Sequence, residues 1–330
     1  MNRRDFLRRL AASTAVAALP PIVELGCRGV GPDLSATCAP LRPASELPRV
    51  VLMIFENQNH DGMFGNPHAA FFTEFANENA LAAEFYGNVH PSIGDYFMIT
   101  TGQTITNDLN FSELVTEDNL ARRFCEAGIS WKAYLEDVPE VGYTGDRAYP
   151  YAKPHNPFAY FSDVVHTQEL RNRMVPLTEL AQDLTNDNLP SFSLIIPNQF
   201  NNTHDCDPNS GCRENVNDDK LDVGDAWLRR TVLPILENSS FKSNGLLIIT
   251  FDESWDTDHR HAGGHIMTTL AGPLAKKDFK SSTFYQHESL HRLISELLGV
   301  PPLAAGATAP SMAEFLVDPG LVTRKSRNAK

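Results

Sequence analysis

The sequence is poor in basic residues and in cysteine. It contains 28 lysines and arginines against 41 aspartates and glutamates, so its net charge is −13 with histidine neutral. The shortage of positive charge argues against a nucleic-acid partner, because phosphate backbones recruit Lys and Arg. The excess of carboxylates suits a protein that concentrates cations. With 330 residues, 42% of them hydrophobic, the chain can bury one large core.

The five cysteines are compatible with an oxidising destination. Cys206 and Cys212 bracket Asp-Pro-Asn-Ser-Gly, a turn-forming loop that can close a short disulfide. Cys38 and Cys125 can form a second pair, which leaves Cys27 over. The spacing alone does not determine this connectivity.

The N-terminus carries a pair of arginines, Arg3 and Arg4, followed by Phe6, Leu7 and a mild apolar run over 10–19. This pattern resembles a twin-arginine export signal, which would be recognised by the twin-arginine export machinery. A basic amphipathic helix at a membrane surface is the alternative interpretation. The apolar run is too short for a stable membrane span, which needs roughly 20 apolar residues.

We therefore expect an export signal over 1–30, a linker over 31–47, and a protein that is periplasmic or extracellular. Two kinds of processing after export are compatible with the sequence: cleavage near the small residues 15–18, or lipidation at Cys27.

Three β-branched apolar runs, over 48–55, 191–197 and 244–251, predict buried strands that end in polar residues. Alternation of strands with helices predicts an α/β fold, with a mostly parallel central sheet and helices on both faces. One catalytic domain is expected over 48–303 and a tail over 304–330. Apolar spacing and capping residues place helices near 71–84, 119–127, 176–186, 222–237 and 287–298.

Paired oxygen donors follow two of these strands directly. Glu56-Asn57 come after the first, and Asp252-Glu253 come after the run over 244–251. Ligands of α/β sheets gather at the carboxyl ends of strands, and carboxylate or amide oxygens suit divalent cations. A polar turn and a solvated acidic loop are the alternatives.

Ser92 follows His90-Pro91 at the predicted start of a helix. Free backbone N–H groups at such a position favour a phosphate. A serine there can be a nucleophile if a metal ion promotes deprotonation of its hydroxyl. It can also simply be the N-cap of the helix.

Taken in order, these elements are more specific than any one of them. Glu-Asn after a strand, His-Pro-Ser, His-Asn-Pro, a His-Asp loop, a strand-terminal Asp-Glu and Tyr-x-His-x-Ser together resemble the bacterial phosphoesterase family over residues 48–303. That family includes phospholipases C and acid phosphatases of the alkaline phosphatase superfamily. The resemblance implies an alkaline-phosphatase-like fold and a hydrolase of phosphate mono- or diesters.

The resemblance also implies roles for individual residues. Glu56, Asn57, Asp252 and Glu253 would bind a divalent metal ion, whose identity and number stay open. Ser92 would be the nucleophile. Asp95 stands where the family has a phosphate-contacting Asn, and a carboxylate there would repel phosphate.

Histidines complete the implied site. His155, His204 and His287 would surround the leaving group, or hold a second metal. Asp205 and His265 join the candidate metal ligands, and Asp205 would also assist His204. Each histidine, taken alone, is more often structural than catalytic.

Three alternatives remain, one of which, a redox or adhesive surface protein, is supported only by the cysteines. A sulfatase or phosphonoacetate-type hydrolase can share the fold, but we expect no Cys or Ser in the Cys/Ser-x-Pro-x-Arg context that formylglycine formation needs. An exported protein that binds a structural cation without catalysis is the third. The enzyme interpretation requires Ser92 to lie close to Glu56, Asn57 and Asp252. The sequence leaves the substrate and the oligomeric state open.

Overall fold

A computed structural model describes residues 38–146 and 148–322. The predicted export signal, Cys27 and the basic end of the tail lie outside these residues. No helix of the described part combines the length and the apolar character that crossing a membrane requires.

One sheet organises the described residues, and its strand order is β4-β3-β5-β1-β6-β7-β2-β8. Neighbouring strands pair in parallel except around β7, which is antiparallel to both β6 and β2. This confirms the predicted α/β fold with a mostly parallel sheet. The strands are β1 (Arg49–Phe55), β2 (Ala80–Tyr86), β3 (Trp131–Leu135), β4 (Met174–Pro176), β5 (Phe192–Ile196), β6 (Gly245–Phe251), β7 (His265–Ala271) and β8 (Phe279–Gln286).

Helices surround the sheet and make the connections between parallel strands possible. Short 3₁₀ turns occur over 44–46, 67–69, 153–155, 157–160, 304–307 and 313–315. The α-helices are α1 (His60–Met63), α2 (Ala70–Glu78), α3 (Ile93–Thr101), α4 (Leu120–Glu126), α5 (Ser162–His166), α6 (Gln168–Arg171), α7 (Thr178–Thr185), α8 (Asn217–Glu237), α9 (Ser239–Asn244) and α10 (His287–Leu298).

The three predicted strands are present as β1, β5 and β6, and every residue in them is buried. Strands covered on both faces carry continuous rather than alternating apolar side chains, which is why these runs were recognisable. The other five strands were not predicted; β4 has only three residues, and β7 and β8 contain polar side chains.

The predicted helix over 71–84 is wrong in its second half. Helix α2 ends at Glu78, and Asn79 leaves the helical region with φ −118° and ψ −147°. The following Ala-Leu-Ala-Ala-Glu-Phe-Tyr forms β2 between β7 and β8. Its alanines favour a helix locally, but hydrogen bonds to two neighbouring strands outweigh that preference.

Both candidate disulfides form, Cys38–Cys125 and Cys206–Cys212. The first ties the segment before β1 to α4. The described part of the segment predicted as a tail, 304–322, packs on the core and buries Phe315.

A buried histidine joins this C-terminal segment to α3. His291 on α10 is fully buried; its Nδ1–H donates to the carbonyl of Ile99 at 2.9 Å, and its Nε2 accepts the N–H of Leu303 at 2.8 Å. The bond from Leu303 requires a neutral ring, because a protonated Nε2 cannot accept. Burial lowers the pKa of His291 to about 4, although the bond to Ile99 opposes this shift.

We predict that His291 makes the fold sensitive to acid. An unfolded histidine has a pKa of about 6.5, so between about pH 6.5 and 4 the unfolded state binds the extra proton. The contribution of His291 is present above that window and is lost as the pH falls through it, with a slope of up to about 1.4 kcal/mol per pH unit. Urea unfolding of wild type and His291→Gln at pH 7.5, 6 and 5 measures this. Equal pH slopes in the two proteins would contradict the assignment.

Candidate active site

The paired acids lie side by side at the carboxyl ends of β1 and β6. These strands run parallel and pair through to their last residues, so the residues that follow them are neighbours. The N–H of Asp252 donates to the carbonyl of Phe55 at 3.0 Å, and the N–H of Asn57 donates to Asp252 Oδ1 at 3.3 Å. Glu56, Asn57, Asp252 and Glu253 therefore meet at one edge of the sheet.

Ser92 points at these acids and does not cap its helix. It directly precedes α3, but its side chain accepts no capping hydrogen bond. Ser92 Oγ lies 2.6 Å from Glu56 Oε1 and 2.8 Å from Glu253 Oε1, and the residue is 3% exposed. A hydroxyl has one proton, so it donates to one of the two carboxylates at a time. The backbone N–H of Ser92 also donates to Glu253 Oε1 at 2.8 Å.

Two buried oxygens of this group, Asn57 Oδ1 and Asp252 Oδ2, lack hydrogen-bond partners, and Glu56 Oε2 is paired with His155. Ligand atoms of Glu56, His155 and Asp252 all lie within 4.8 Å of one another. Buried polar atoms are normally paired, because leaving one unpaired costs about 1–3 kcal/mol. Carboxylate and amide oxygens with one imidazole nitrogen form a donor set that fits a divalent cation.

The pKa values of two of these carboxyl groups show that burial and neighbouring negative charges disfavour their ionisation. Burial, and then the charges of Glu56 and Glu253, raise the pKa of Asp252 well above its usual value. Burial also raises the pKa of Glu253, although its hydrogen bond to His90 opposes this. For Glu56, burial is outweighed by His155 and His204, which lower its pKa to about 2. The three carboxylates cannot all ionise at low cost unless a cation joins them.

His155 lies within the acidic group. The prediction was that it would surround the leaving group or hold a second metal. The 3₁₀ turn over 153–155 brings its Nε2 to 2.6 Å from Glu56 Oε2. Its ring stacks on Tyr96 of α3, with centroids 5.1 Å apart. An imidazole fixed in this way is a candidate cation ligand.

His204 and Asp205 form a pair beside the acids. His204 Nδ1 lies 2.6 Å from Asp205 Oδ1, and Asp205 also accepts the hydroxyl of Tyr149 at 3.2 Å. Burial opposes protonation of His204, but Asp205 and Glu56 outweigh it and raise the pKa to about 9. His204 is therefore a protonated imidazolium at neutral pH. Asp205, predicted to assist His204 and to be a candidate metal ligand, is paired with His204 in the structure.

His287 lies behind the acids and does not face the site. It is fully buried at the start of α10, and its Nε2–H donates to the backbone carbonyl of Asp252 at 2.6 Å. Burial lowers its pKa to about 4, so the ring is neutral. His287 was predicted to surround the leaving group or to hold a second metal. In the structure it is instead a positioning residue for Asp252.

His265, predicted among the metal ligands, is not part of the group around Glu56. It lies at the start of β7, where its Nε2 hydrogen-bonds the carbonyl of Ala83 at 2.8 Å. Its neighbours of metal-ligand type are His60 and Asp61.

Asp95 holds a loop, so it does not face a bound phosphate as its family position suggested. The residue is fully buried in α3, and its Oδ1 accepts the N–H of Asn88 at 2.6 Å. Burial raises its pKa well above the usual value. The expected repulsion of phosphate by this carboxylate therefore does not apply.

His90 is a residue of the site for which the sequence predicted no role. Its Nδ1 hydrogen-bonds Glu253 Oε2, and its Nε2 lies 3.0 Å from the carbonyl of Asp258. His90 therefore holds Glu253 against Ser92. The available signal was its place two residues before the serine in His-Pro-Ser.

The pentapeptide Cys38-Ala-Pro-Leu-Arg42 matches the formylglycine pattern, contrary to the expectation that no such segment occurs. Cys38 is bonded to Cys125 at the end of α4, on the amino-terminal side of β3. It lies away from the strand ends that carry the acids, so it supports no sulfatase site.

Comparisons with known proteins found a matching family model, relatives and similar solved structures. The model of the Phosphoesterase family matches residues 55–301. The chain is 28% identical over 283 residues to a phosphatidylinositol-3-phosphatase of Mycobacterium tuberculosis, covering 83% of this chain and 86% of that protein. It is 26% identical to a phosphate-repressible acid phosphatase of Penicillium chrysogenum, covering 86% of this chain and 68% of the relative.

Among solved structures, the fold is similar to a protein in the alkaline phosphatase superfamily from Vibrio parahaemolyticus. The TM-score is 0.56 at 15% identity, and the match covers 86% of this chain and 75% of the other. At this identity the likeness concerns the fold alone.

We predict that Asp252→Asn stabilises the protein when divalent cations are removed. The substitution keeps the shape of the side chain and removes one of the converging buried charges, an effect of about 1–3 kcal/mol. Thermal unfolding with a chelator should show a higher midpoint for the variant, whereas added Mg²⁺, Mn²⁺ or Zn²⁺ should raise the midpoint of wild type more. Asp278→Asn, an exposed aspartate before β8, is the control. Identical midpoints with chelator would refute this account.

Proposed function

Because this chain belongs to the phosphoesterase family, we propose that it hydrolyses phosphate monoesters through Ser92 and a divalent cation. Its activity is hydrolysis of phosphoric ester bonds, as in the relatives named above. The observation that carries the finer proposal is the position of Ser92 Oγ against Glu56 and Glu253, beside buried oxygens that lack partners. Both relatives are named as phosphatases, which favours monoesters over diesters.

Glu56, Asn57, Asp252 and His155 would hold the cation. When bound, it supplies Lewis-acid stabilisation of phosphoryl oxygens and lowers the pKa of the serine hydroxyl. Glu253 also accepts the Ser92 hydrogen bond, and burial raises its pKa, so it is a stronger base than Glu56 and takes the proton. The bond from Ser92 Oγ to phosphorus forms in line as the bond to the leaving oxygen breaks.

His204 then serves as the acid. Its imidazolium, stabilised by Asp205, donates a proton to the leaving oxygen. In the second half, water attacks the phosphoserine and the phosphorus–Oγ bond breaks. Neutral His204 takes a proton from that water, and the proton held at Glu253 returns to Ser92. The products are an alcohol and inorganic phosphate.

His90 and His287 support this chemistry without touching the substrate. His90 holds Glu253, and His287 holds the backbone of Asp252. Positioning of this kind matters because displacement of a catalytic group by about 1 Å can cost about a hundredfold in rate.

The alternative of a cation-binding protein without catalysis is less well supported. It explains the unpaired oxygens, but it gives no reason for a buried serine hydroxyl between two glutamates or for an imidazolium beside them. The contact of Ser92 with Glu56, whose neighbour Asn57 is hydrogen-bonded to Asp252, supports the enzyme interpretation.

Export of this enzyme is also part of the proposal. The two disulfides support an oxidising compartment, periplasmic or extracellular. The twin-arginine pattern at Arg3 and Arg4 is its sequence basis.

We predict that Ser92→Ala loses at least about a thousandfold in kcat, because the covalent route is removed. Purified protein is assayed with p-nitrophenyl phosphate, bis-p-nitrophenyl phosphate and phosphatidylcholine, with chelator and after metal is restored. The monoester should be preferred, and chelation should abolish turnover. Ser193→Ala, a buried serine of β5, is the matched control and should stay active. Full activity of Ser92→Ala would remove Ser92 from the mechanism.

We predict that His204→Gln impairs poor leaving groups more than good ones. An alkyl alkoxide needs the proton from His204, whereas p-nitrophenolate leaves readily without it, so loss of a general acid costs about 10²–10⁴-fold only for the alkyl ester. The ratio of kcat for glycerol phosphate to kcat for p-nitrophenyl phosphate reports this, with His166→Gln as control. Equal losses on both substrates would exclude His204 as the acid.

A further inference from the structure

A second group of metal-ligand type lies outside the acidic site. His60 and Asp61 open α1, and His265 opens β7. Their ligand atoms lie within 4.8 Å of one another, and the group shares no residue with Glu56, His155 and Asp252.

His265 uses one ring nitrogen in a hydrogen bond, and its other ring nitrogen, Nδ1, faces the carboxylate of Asp61. Its Nε2–H donates to the carbonyl of Ala83, so the Nδ1 of the neutral ring carries a lone pair. His265 is 6% exposed, and its Nδ1 has no hydrogen-bond partner. The nearest charged atom is Asp61 Oδ1 at 3.7 Å. In the neutral ring a lone pair thus faces a carboxylate oxygen, at a distance longer than a hydrogen bond.

His60 shows a similar deficit. Its Nδ1 lies 3.2 Å from Asp61 Oδ1 and can donate to it, whereas its buried Nε2 has no partner. Burial and the neighbouring His265 lower the pKa of His60, which favours the neutral ring. Two buried imidazole lone pairs and one carboxylate therefore lie close together, and either a proton or a metal ion must satisfy them.

We propose that His60, Asp61 and His265 bind a divalent transition-metal ion of the zinc class, separate from the hydrolytic centre. Two imidazole nitrogens and one carboxylate oxygen are ligands that Zn²⁺ prefers, and three protein ligands leave a position for water. The other oxygen of Asp61, Oδ2, is held by Arg260 at 3.2 Å. Arg260 is itself paired with Asp258 at 2.7 Å, which offsets its charge.

Binding requires one ring to turn. The rings of His60 and His265 stack with centroids 4.3 Å apart and planes 20° apart, and lone pairs in nearly parallel planes do not meet at one point. His265 is held by Ala83, so His60 is the ring that rotates about its side-chain bonds. This rotation replaces the stacking contact by a shared ion.

Such an ion would brace the loop that carries the hydrolytic residues. Glu56 and Asn57 lie at one end of that loop and His60 and Asp61 at the other. Asp258 links the loop to the rest of the site: its Oδ2 accepts the side-chain amide of Asn59 at 2.7 Å and the N–H of His265 at 3.0 Å. The second ion therefore stabilises the loop and does not enter the reaction.

The test compares metal content in variants that each remove one site. His60→Phe keeps a planar ring against His265 but removes a ligand, and His265→Gln removes another. Asp252→Asn impairs the hydrolytic site, and His166→Gln is the control. Chelator-treated proteins are dialysed against Zn²⁺ or Co²⁺, and bound metal per chain and the Co²⁺ visible spectrum are measured.

We expect His60→Phe and His265→Gln each to bind one ion fewer per chain than wild type and to lose the same Co²⁺ band. Asp252→Asn should keep that band while losing activity. Wild-type metal content in His60→Phe and His265→Gln would overturn the proposal. A proton shared by His60, Asp61 and His265 would then explain the contacts of this group. If either histidine variant fails to fold, the Co²⁺ content of Asp252→Asn is the test. Absence of bound Co²⁺ in Asp252→Asn would overturn the proposed second site. Loss of hydrolysis in Ser92→Ala is independent of these counts.

Discussion

Burial of several carboxylates at one edge of the sheet is the constraint on which the site depends. Glu56, Asp252 and Glu253 are almost without solvent contact, and like charges brought together in a low-dielectric interior repel strongly. The parallel pairing of β1 and β6 makes this convergence unavoidable, because residues that follow adjacent strand ends are neighbours. A cation would resolve the conflict, and His155 and the amide of Asn57 would complete its donor set. The serine hydroxyl lies beside the same acids, so the charge of such a cation would also act on Ser92.

Burial divides the surrounding residues of the same type into different roles. His287 is sealed from water and neutral, and it holds the backbone of Asp252. His204 is paired with Asp205 and stays protonated, so it can act as an acid. Asp95 is buried without a cationic partner and serves a loop. Residue type therefore does not determine a role here; the dielectric surroundings and the nearest charge do.

Sequence patterns predicted the centre of the fold better than its margins. The three central strands consist of β-branched and large apolar residues, because both of their faces are covered. Patterns failed where pairing partners decide the conformation, as in the stretch after Glu78, where alanines with helical spacing form β2. The acids after β1 and β6 were predicted together because strand ends share an edge. The histidines were predicted only as a set, because their assignment depends on loops whose paths no local pattern specifies.

The sequence by itself determined the α/β class, the two acidic strand ends and the serine at the start of a helix. Periodicity and strand order are local or nearly local properties, and the hydrophobic effect converts them into layers in a predictable way. Only the tertiary structure decided which side chains meet. It placed His155 against Glu56, moved His287 behind Asp252, and set His265 with another aspartate and histidine. These contacts join residues that are far apart in the chain, so their geometry exists only once the sheet has assembled.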